Sequence, residues 1–336
     1  MIYRCICHLY QSKYIYYKKM KLKLLQLKTK TLTFLGNCIG YFNSKVKGVQ
    51  ANYNCHYGKD KKQKLDILYP TKQQNLPCVV YLHGGGWSCY DKSLFRSTCK
   101  TIASKGAVVF NCNYRFAPKH TISDMLMDVM LAVKYAVSHA KLFGGDTSKI
   151  ILAGDSSGAH LVTLFNNLLN YINHNEEESY VDNPIATTFV SQCKQLFDNT
   201  VCLQNSIAGL ILFYGAYNLN NVEESGFKHI KTFIKGVIPA NTTDRQSYLQ
   251  SISPTTYLYK NDKPTLLFSG EIDKLHNSQS LCYYHQLQEN GSNVTAHFFD
   301  KKIKKAQHKF ITFHKNPISQ RAFEVIEEFV QQLNNI

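Results

Sequence analysis

Short apolar runs alternate along this chain with longer stretches in which apolar residues recur every three or four positions. Residues 78–82, 107–111, 150–153, 210–214, 264–270 and 294–299 read as strands, several of them too uniformly apolar to keep one face in water. Helical spacing appears between them. It covers residues 94–104; the stretch carrying Met125, Val129, Val133, Ala136 and Ala140, stopped at Gly144-Gly145; and Leu161, Leu164, Phe165, Leu168 and Leu169. Two further helices are expected over residues 277–290, closed by Gly291, and after Asn316-Pro317, where Phe323, Ile326, Val330 and Leu333 share a face. Ser123 and Asp124 are expected to cap the helix that Met125 opens. Repeated strand-then-helix order predicts an α/β chain: a mostly parallel central sheet with helices on both faces.

Two segments break that rhythm. Residues 171–205, with Glu176-Glu177-Glu178 and Asp182-Asn183-Pro184, are longer than an ordinary helix-to-strand connection and read as an insertion. Residues 220–262 carry an amphipathic stripe of Phe227, Ile230, Phe233, Ile234 and Val237, which serves core packing, a substrate pocket, or each at different positions. The expected organisation is a tail or set of cap helices over residues 1–45 and one large domain over 46–336. Within the tail, Lys18, Lys19, Lys21 and Lys23 precede a moderately apolar stretch, 32–42, in a layout loosely like a secretory signal; Asn37 interrupts it, and Met20 is an alternative start. No run of 18 apolar residues occurs, so no membrane-spanning helix is expected.

Composition narrows the classes. A chain of 336 residues, 44% hydrophobic, suffices for one large core. Lys and Arg number 39 against 23 Asp and Glu, a net charge of +16 that raises nucleic acid or an anionic membrane as partners. The lysines are scattered as well as clustered and accompany no helix-turn-helix, zinc-finger or aromatic RNA-binding signature, so no nucleic-acid partner is expected. Eleven cysteines, an odd number without zinc-ribbon pairs, exclude a complete disulfide framework and favour a reducing, cytoplasmic compartment, with secretion left open by the N-terminal stretch. Cys5, Cys7 and His8 have a metal-like look, but three ligands in a tail are a weak signal, and no metal or cofactor is expected. Nothing decides between a monomer and a homodimer paired through a sheet edge.

The chemistry sits in two words, each directly after an apolar run: His83-Gly84-Gly85-Gly86-Trp87 and Gly154-Asp155-Ser156-Ser157-Gly158. A serine on a sharp strand-to-helix turn projects its hydroxyl at a helix N-terminus, and a glycine-rich loop offers backbone amides to an oxyanion. A neutral serine is a poor nucleophile and needs a base and an acid to orient that base. Asp273, where a loop should follow the strand 264–270, is the expected acid, with Glu271 as the alternative; His308 beyond the last strand is the expected base. His83 is expected to shape the glycine loop and His160 to be a hydrogen-bonded core residue, while His139, His229, His285 and His314 carry no motif. Lys301, Lys302, Lys304, Lys305 and Lys309 surround His308 and form either a solvated loop or a lure for acidic substrates; ammonium groups close to the imidazole would lower its pKa.

With Asn113-Tyr114-Arg115-Phe116-Ala117-Pro118, Gly144-Gly145-Asp146, Gly270-Glu271-Ile272-Asp273-Lys274-Leu275 and Gln307-His308-Lys309-Phe310, the order and spacing of these words from about Tyr57 onward resemble the hormone-sensitive-lipase-like esterases of the α/β-hydrolase superfamily. The resemblance implies the α/β-hydrolase fold with a helical cap. It also implies Ser156 as nucleophile, His308 as base, Asp273 as acid, and an oxyanion hole of two amides among Gly84, Gly85 and Gly86 together with that of Ser157. The implied activity is cofactor-free hydrolysis of small-molecule carboxylic esters through an acyl-enzyme, with small or medium acyl groups favoured because no interfacial module is evident. Departures from the pattern are Tyr90-Asp91, where glycine and aspartate are common, Asn277 in place of an acid and Ser157 in place of alanine; Thr121-Ile122-Ser123-Asp124-Met125 resembles the prenylcysteine methylesterase branch. Two other readings stay open: an arylformamidase-like amidohydrolase, although Gly86 sits where that branch has an aromatic residue, and a non-catalytic binding scaffold.

Overall fold

The structure, a computed structural model, describes residues 46–175, 183–197 and 200–335 together with Met20, Leu24 and Leu27. Eight strands form one sheet in the order β1-β2-β4-β3-β5-β6-β7-β8. They are β1 (Val49–His56), β2 (Lys64–Pro70), β3 (Leu76–Leu82), β4 (Val108–Cys112), β5 (Gly145–Asp155), β6 (Ile207–Phe213), β7 (Thr265–Gly270) and β8 (Val294–Phe299). The six strands from β3 onward pair in parallel, while β1 and β2 are antiparallel additions at one edge. This is the α/β class that the alternating pattern predicts.

The two added strands were not among those expected, for a physical reason. β1 is an edge strand with mostly exposed or half-buried positions, so it has no apolar run. β2 carries Asp66 in its buried centre, held by the Lys92 ammonium and by Arg96 Nε at 2.7 Å. A carboxylate in that place is tolerable only because both cations reach it.

Neighbouring residues of the central strands feed opposite layers, as the two-residue repeat of a strand requires. Val80 and Leu152 pack under α2 (Ile122–His139), α3 (Ser157–His174) and α4 (Pro184–Leu196), whereas Val79, Ile151 and Phe213 pack under α1 (Arg96–Ser104) and α9 (Pro317–Asn334). Further helices among the described residues are α5 (Thr200–Ser206), α6 (Ile230–Val237), α7 (Arg245–Ser251) and α8 (Cys282–Glu289).

Several boundaries differ from expectation. The cap of α2 is Thr121, not Ser123 or Asp124: the Thr121 hydroxyl accepts from the Asp124 amide, and the Asp124 carboxylate accepts from the Thr121 amide. The peptide Thr121–Met125 is thus a capping box. The helix expected over 277–290 opens with a wide π-type turn, His276–Leu281, before α8. In the segment 171–205, α3 runs on to His174, and α4 buries Ile185, Ala186, Phe189 and Cys193 in the same core as α2 and α3. Residues 176–182 of that segment lie outside the described residues, as do Cys5, Cys7, His8 and nearly all of the expected N-terminal tail. Among the described residues, no helix is long and apolar enough to cross a membrane.

Candidate active site

β5 ends at Asp155, α3 begins at Ser157, and Ser156 between them has φ 51° and ψ −118°, a conformation disfavoured for a side chain and held by its surroundings. The Ser156 amide donates to the Phe213 carbonyl at 2.9 Å, fixing the turn to β6. Gly158 lies so close to β3 that a Cβ there would stand 2.0 Å from the Leu82 carbonyl oxygen, and one on Gly154 would stand 2.6 Å from the Gly158 backbone. Only glycine permits that approach.

From the far edge of the sheet, β7 and the loop after β8 supply two more side chains. His308 Nε2 lies 3.0 Å from Ser156 Oγ, and His308 Nδ1 lies 2.7 Å from Asp273 Oδ2. These partners assign the tautomer: Nδ1–H donates to the carboxylate, leaving the Nε2 lone pair for the serine hydroxyl. Asp273 is buried and also accepts from the Leu275 amide at 3.0 Å. Glu271, the other carboxylate left open by the sequence, is exposed and accepts from the Lys301 amide instead. The imidazole is flanked by the rings of Phe227 and Tyr214, with centroids 4.5 and 4.6 Å away.

The glycine loop follows β3. Gly85 (φ 137°) and Gly86 (φ 57°) line a cavity with Ser156 and Ser157. Gly84 departs from the expected set of oxyanion donors, because its amide donates to Asp155 Oδ1 at 2.8 Å and is committed there. Gly85, Gly86 and Ser157, the other residues of the expected set, line the cavity beside Ser156. Asp155 also accepts from the Tyr81 hydroxyl at 3.0 Å, and burial pushes its carboxyl up to about 6. Asp155 reads in the sequence as the variable position of the serine word; the available signal is an acid directly after the apolar run 150–153, a place that demands partners.

His83 is buried and stacked between Phe95 and Tyr114, its ring nitrogens 2.6 Å from the Gly84 carbonyl and 3.1 Å from Asn113 Oδ1. Burial pushes it down to about 4, so it stays neutral as a support of the loop. Asn113, also unassigned from the sequence, accepts from the Lys92 amide at 2.6 Å and donates to Asp91 at 2.7 Å, tying the end of β4 to the segment after the glycines. Trp87 Nε1 donates to His160 at 3.1 Å, and His160 Nε2 lies 2.8 Å from the Ile252 carbonyl, so this histidine is a hydrogen-bonded core residue. The Ser157 hydroxyl lies 3.3 Å from that of Tyr114.

The cavity, of about 190 Å³, is bounded on its apolar side by Ala216, Phe227, Ile230, Phe233 and Leu275. The amphipathic stripe of 220–262 divides: Ile234 and Val237 enter the core, Phe227 and Phe233 face the cavity, and Ile230 does both. The ring of Phe233 lies over Gly86, where an added Cβ would come within 2.4 Å of it.

Comparison with known proteins bears on the fold and the family. A probable isoprenylcysteine α-carbonyl methylesterase of Oryza sativa is 24% identical over 289 residues, covering 83% of this chain and 61% of the relative. Esterase LipC of Mycobacterium tuberculosis is 25% identical over 223 residues, covering 65% of this chain and 50% of the relative. The chain thus spans less than two thirds of the length of these relatives. Among solved structures, esterase B from Lactobacillus rhamnosis superimposes with a TM-score of 0.72 at 18% identity, over 94% of this chain and 98% of that one. A bacterial heroin esterase does so with 0.67 at 18% identity, over 93% and 92%. These share the fold. The BD-FAE family model matches residues 65–287, from β2 through the serine elbow and Asp273 into α8, and the chain belongs to the BD-FAE family.

Proposed function

We propose that the protein is a serine hydrolase that cleaves small-molecule carboxylic esters, with Ser156 as nucleophile, His308 as base, Asp273 as its orienting acid, and Gly85, Gly86 and Ser157 as oxyanion donors. The observation that carries the reading is the single imidazole spanning Ser156 Oγ at 3.0 Å and Asp273 Oδ2 at 2.7 Å beside a cavity lined by Gly85 and Gly86. Ser156 Oγ bonds to the ester carbonyl carbon while His308 Nε2 takes the hydroxyl proton; the tetrahedral oxyanion is held by backbone N–H groups. Collapse breaks the bond to the alkoxy oxygen, which leaves as the alcohol with the proton from His308. Water then repeats the sequence on the acyl-enzyme, its proton passing through His308 back to Ser156 as the carboxylic acid departs. Asp273 keeps Nδ1 protonated throughout and stabilises the transient imidazolium.

The cavity of about 190 Å³ lies below the ~300–1,000 Å³ of drug-sized sites and favours small or medium acyl groups. The esterase names of the relatives support the same reaction class. The test is hydrolysis of p-nitrophenyl esters from acetate to decanoate, with N-formylkynurenine alongside. Turnover concentrated in the shorter esters and abolished in Ser156→Ala is the expected result. Preferential cleavage of N-formylkynurenine, or turnover that survives Ser156→Ala, would overturn it.

A further inference from the structure

Of the five lysines around His308, four are exposed, and Lys309 alone is half-buried and lines the cavity. Its ammonium hydrogen-bonds the Tyr90 hydroxyl and lies 4.0 Å from the centroid of that ring. Both residues have left-handed backbones, φ 71° at Lys309 and 73° at Tyr90, a conformation that side chains adopt at a cost and that gathers at functional sites. Two strained positions, on loops 219 residues apart in the chain, thus aim at each other across the mouth of the cavity.

An ammonium carries three N–H donors, and Tyr90 occupies one. None of the ion pairs among the described residues includes Lys309. The two carboxylates nearest the reaction are engaged elsewhere, Asp155 with Gly84 and Tyr81, and Asp273 with His308. The other charged side chain on the lining is a further cation, Lys228. Lys309 lies in the field of the buried Asp155 carboxylate but makes no direct ion pair with it, and a cation beside apolar walls attracts an anion more strongly than one in open solvent.

We propose that Lys309, clasped by Tyr90, is a specificity-determining residue that takes a carboxylate carried by the ester substrate. The inference rests on the hydrolase reading above and names the substrate class for that same site. The carboxylate sits on either the acyl or the alcohol side of the ester, and two assay arms separate these sources. The first compares mono-p-nitrophenyl glutarate with neutral p-nitrophenyl hexanoate. The second compares 4-carboxyphenyl hexanoate with its neutral 4-carbamoylphenyl counterpart.

In each arm the readout is the ratio of kcat/KM for the anionic ester to that for the neutral one. Loss of folded protein or a displaced loop cancels within each variant. In one arm Lys309→Met should lower the ratio by about tenfold, Lys309→Arg should restore most of it, and Lys304→Met, an exposed member of the same run, should move it less than about twofold. Ratios unchanged by Lys309→Met in both arms, or an equal drop in Lys304→Met, would overturn the proposal while leaving the hydrolase reading intact. Wild-type protein that cleaves none of the four esters would overturn the hydrolase reading itself, and this inference with it.

Discussion

The serine elbow and the histidine loop meet within one hydrogen bond, yet they are built by opposite means. At the elbow every constraint is close in sequence or in the sheet: a buried strand, a turn with Gly154 and Gly158 pressed against neighbouring backbone, and a helix whose first four residues are buried. The loop from Asp300 to Lys309 is largely exposed and lysine-rich, and has no regular structure. It is aimed by long-range contacts instead: the Asp273 carboxylate, the flanking rings of Phe227 and Tyr214, Ala306 against Gly270, and the Lys309–Tyr90 clasp. In the proposed mechanism a tightly packed nucleophile is therefore served by a base whose position depends on several separate long-range contacts.

The largest test of that contrast removes the base. His308→Ala should lower kcat by about three or more orders of magnitude with little change in Tm, because His308 is itself only half-buried and the loop's core residue, Ala306, is left in place. A comparable loss of Tm would mean that the loop is structural.

Next come two glycines that allow close approach in the two regions. Gly158→Ala drives a Cβ against the Leu82 carbonyl at 2.0 Å, with a sheet strand that cannot yield, and should cost about 2–4 kcal/mol of stability in denaturant titration. Gly270→Ala meets the Ala306 carbonyl at 1.7 Å, but that backbone belongs to the loop and can move. It should lower kcat by about a hundredfold, the cost of misplacing a reacting group by about 1 Å, with a smaller loss of stability than Gly158→Ala. The reverse ranking would erase the distinction between the regions.

A smaller effect is expected at Asp155, which ties the elbow to the oxyanion loop through the Gly84 amide. Asp155→Asn keeps an acceptor but weakens a charge-assisted bond, and should reduce kcat about tenfold without changing which residue is acylated. Steady-state kinetics with p-nitrophenyl butyrate checks this, and unchanged kcat would remove Asp155 from the positioning network.

Stability should also depend on pH. His83 and His160 are each pushed down by burial to about 4, so between the ordinary histidine pKa of about 6.5 and 4 the unfolded chain binds two protons that the native one does not. Their contribution is fully present above about 6.5 and is lost as pH falls through that window. Asp155, raised to about 6, acts in the opposite sense between its ordinary value near 3.8 and 6, one group against two. Tm should therefore fall on acidification from pH 7 to 5, with a shallower slope in His160→Gln; a slope unchanged in the variant would contradict the assignment.

How much of this was legible in the sequence follows the same division. The parallel sheet can be read because its strands carry continuous apolar runs; Ser156 and Asp273 stand out because each sits just past a strand in a glycine word, and His308 because a base is needed C-terminal to that acid, beyond the last strand. The antiparallel strands could not, since β1 is an exposed edge and Asp66 interrupts β2. Thr121, Ser123 and Asp124 are all good caps by residue type, and the reciprocal bond between Thr121 and Asp124 decides for Thr121. Gly84 reads like Gly85 and Gly86 in the sequence because nothing local shows that its amide is committed to Asp155, 71 residues away. Pairings of that kind, like Lys309 with Tyr90, exist only once the sheet has brought distant loops together.

The most direct test of the central claim is the rate and site of labelling by a fluorophosphonate probe, followed by peptide mapping. The adduct should fall on Ser156, be absent in Ser156→Ala, and form about a thousandfold more slowly in His308→Ala. An adduct on another residue, or an undiminished rate without His308, would contradict the account.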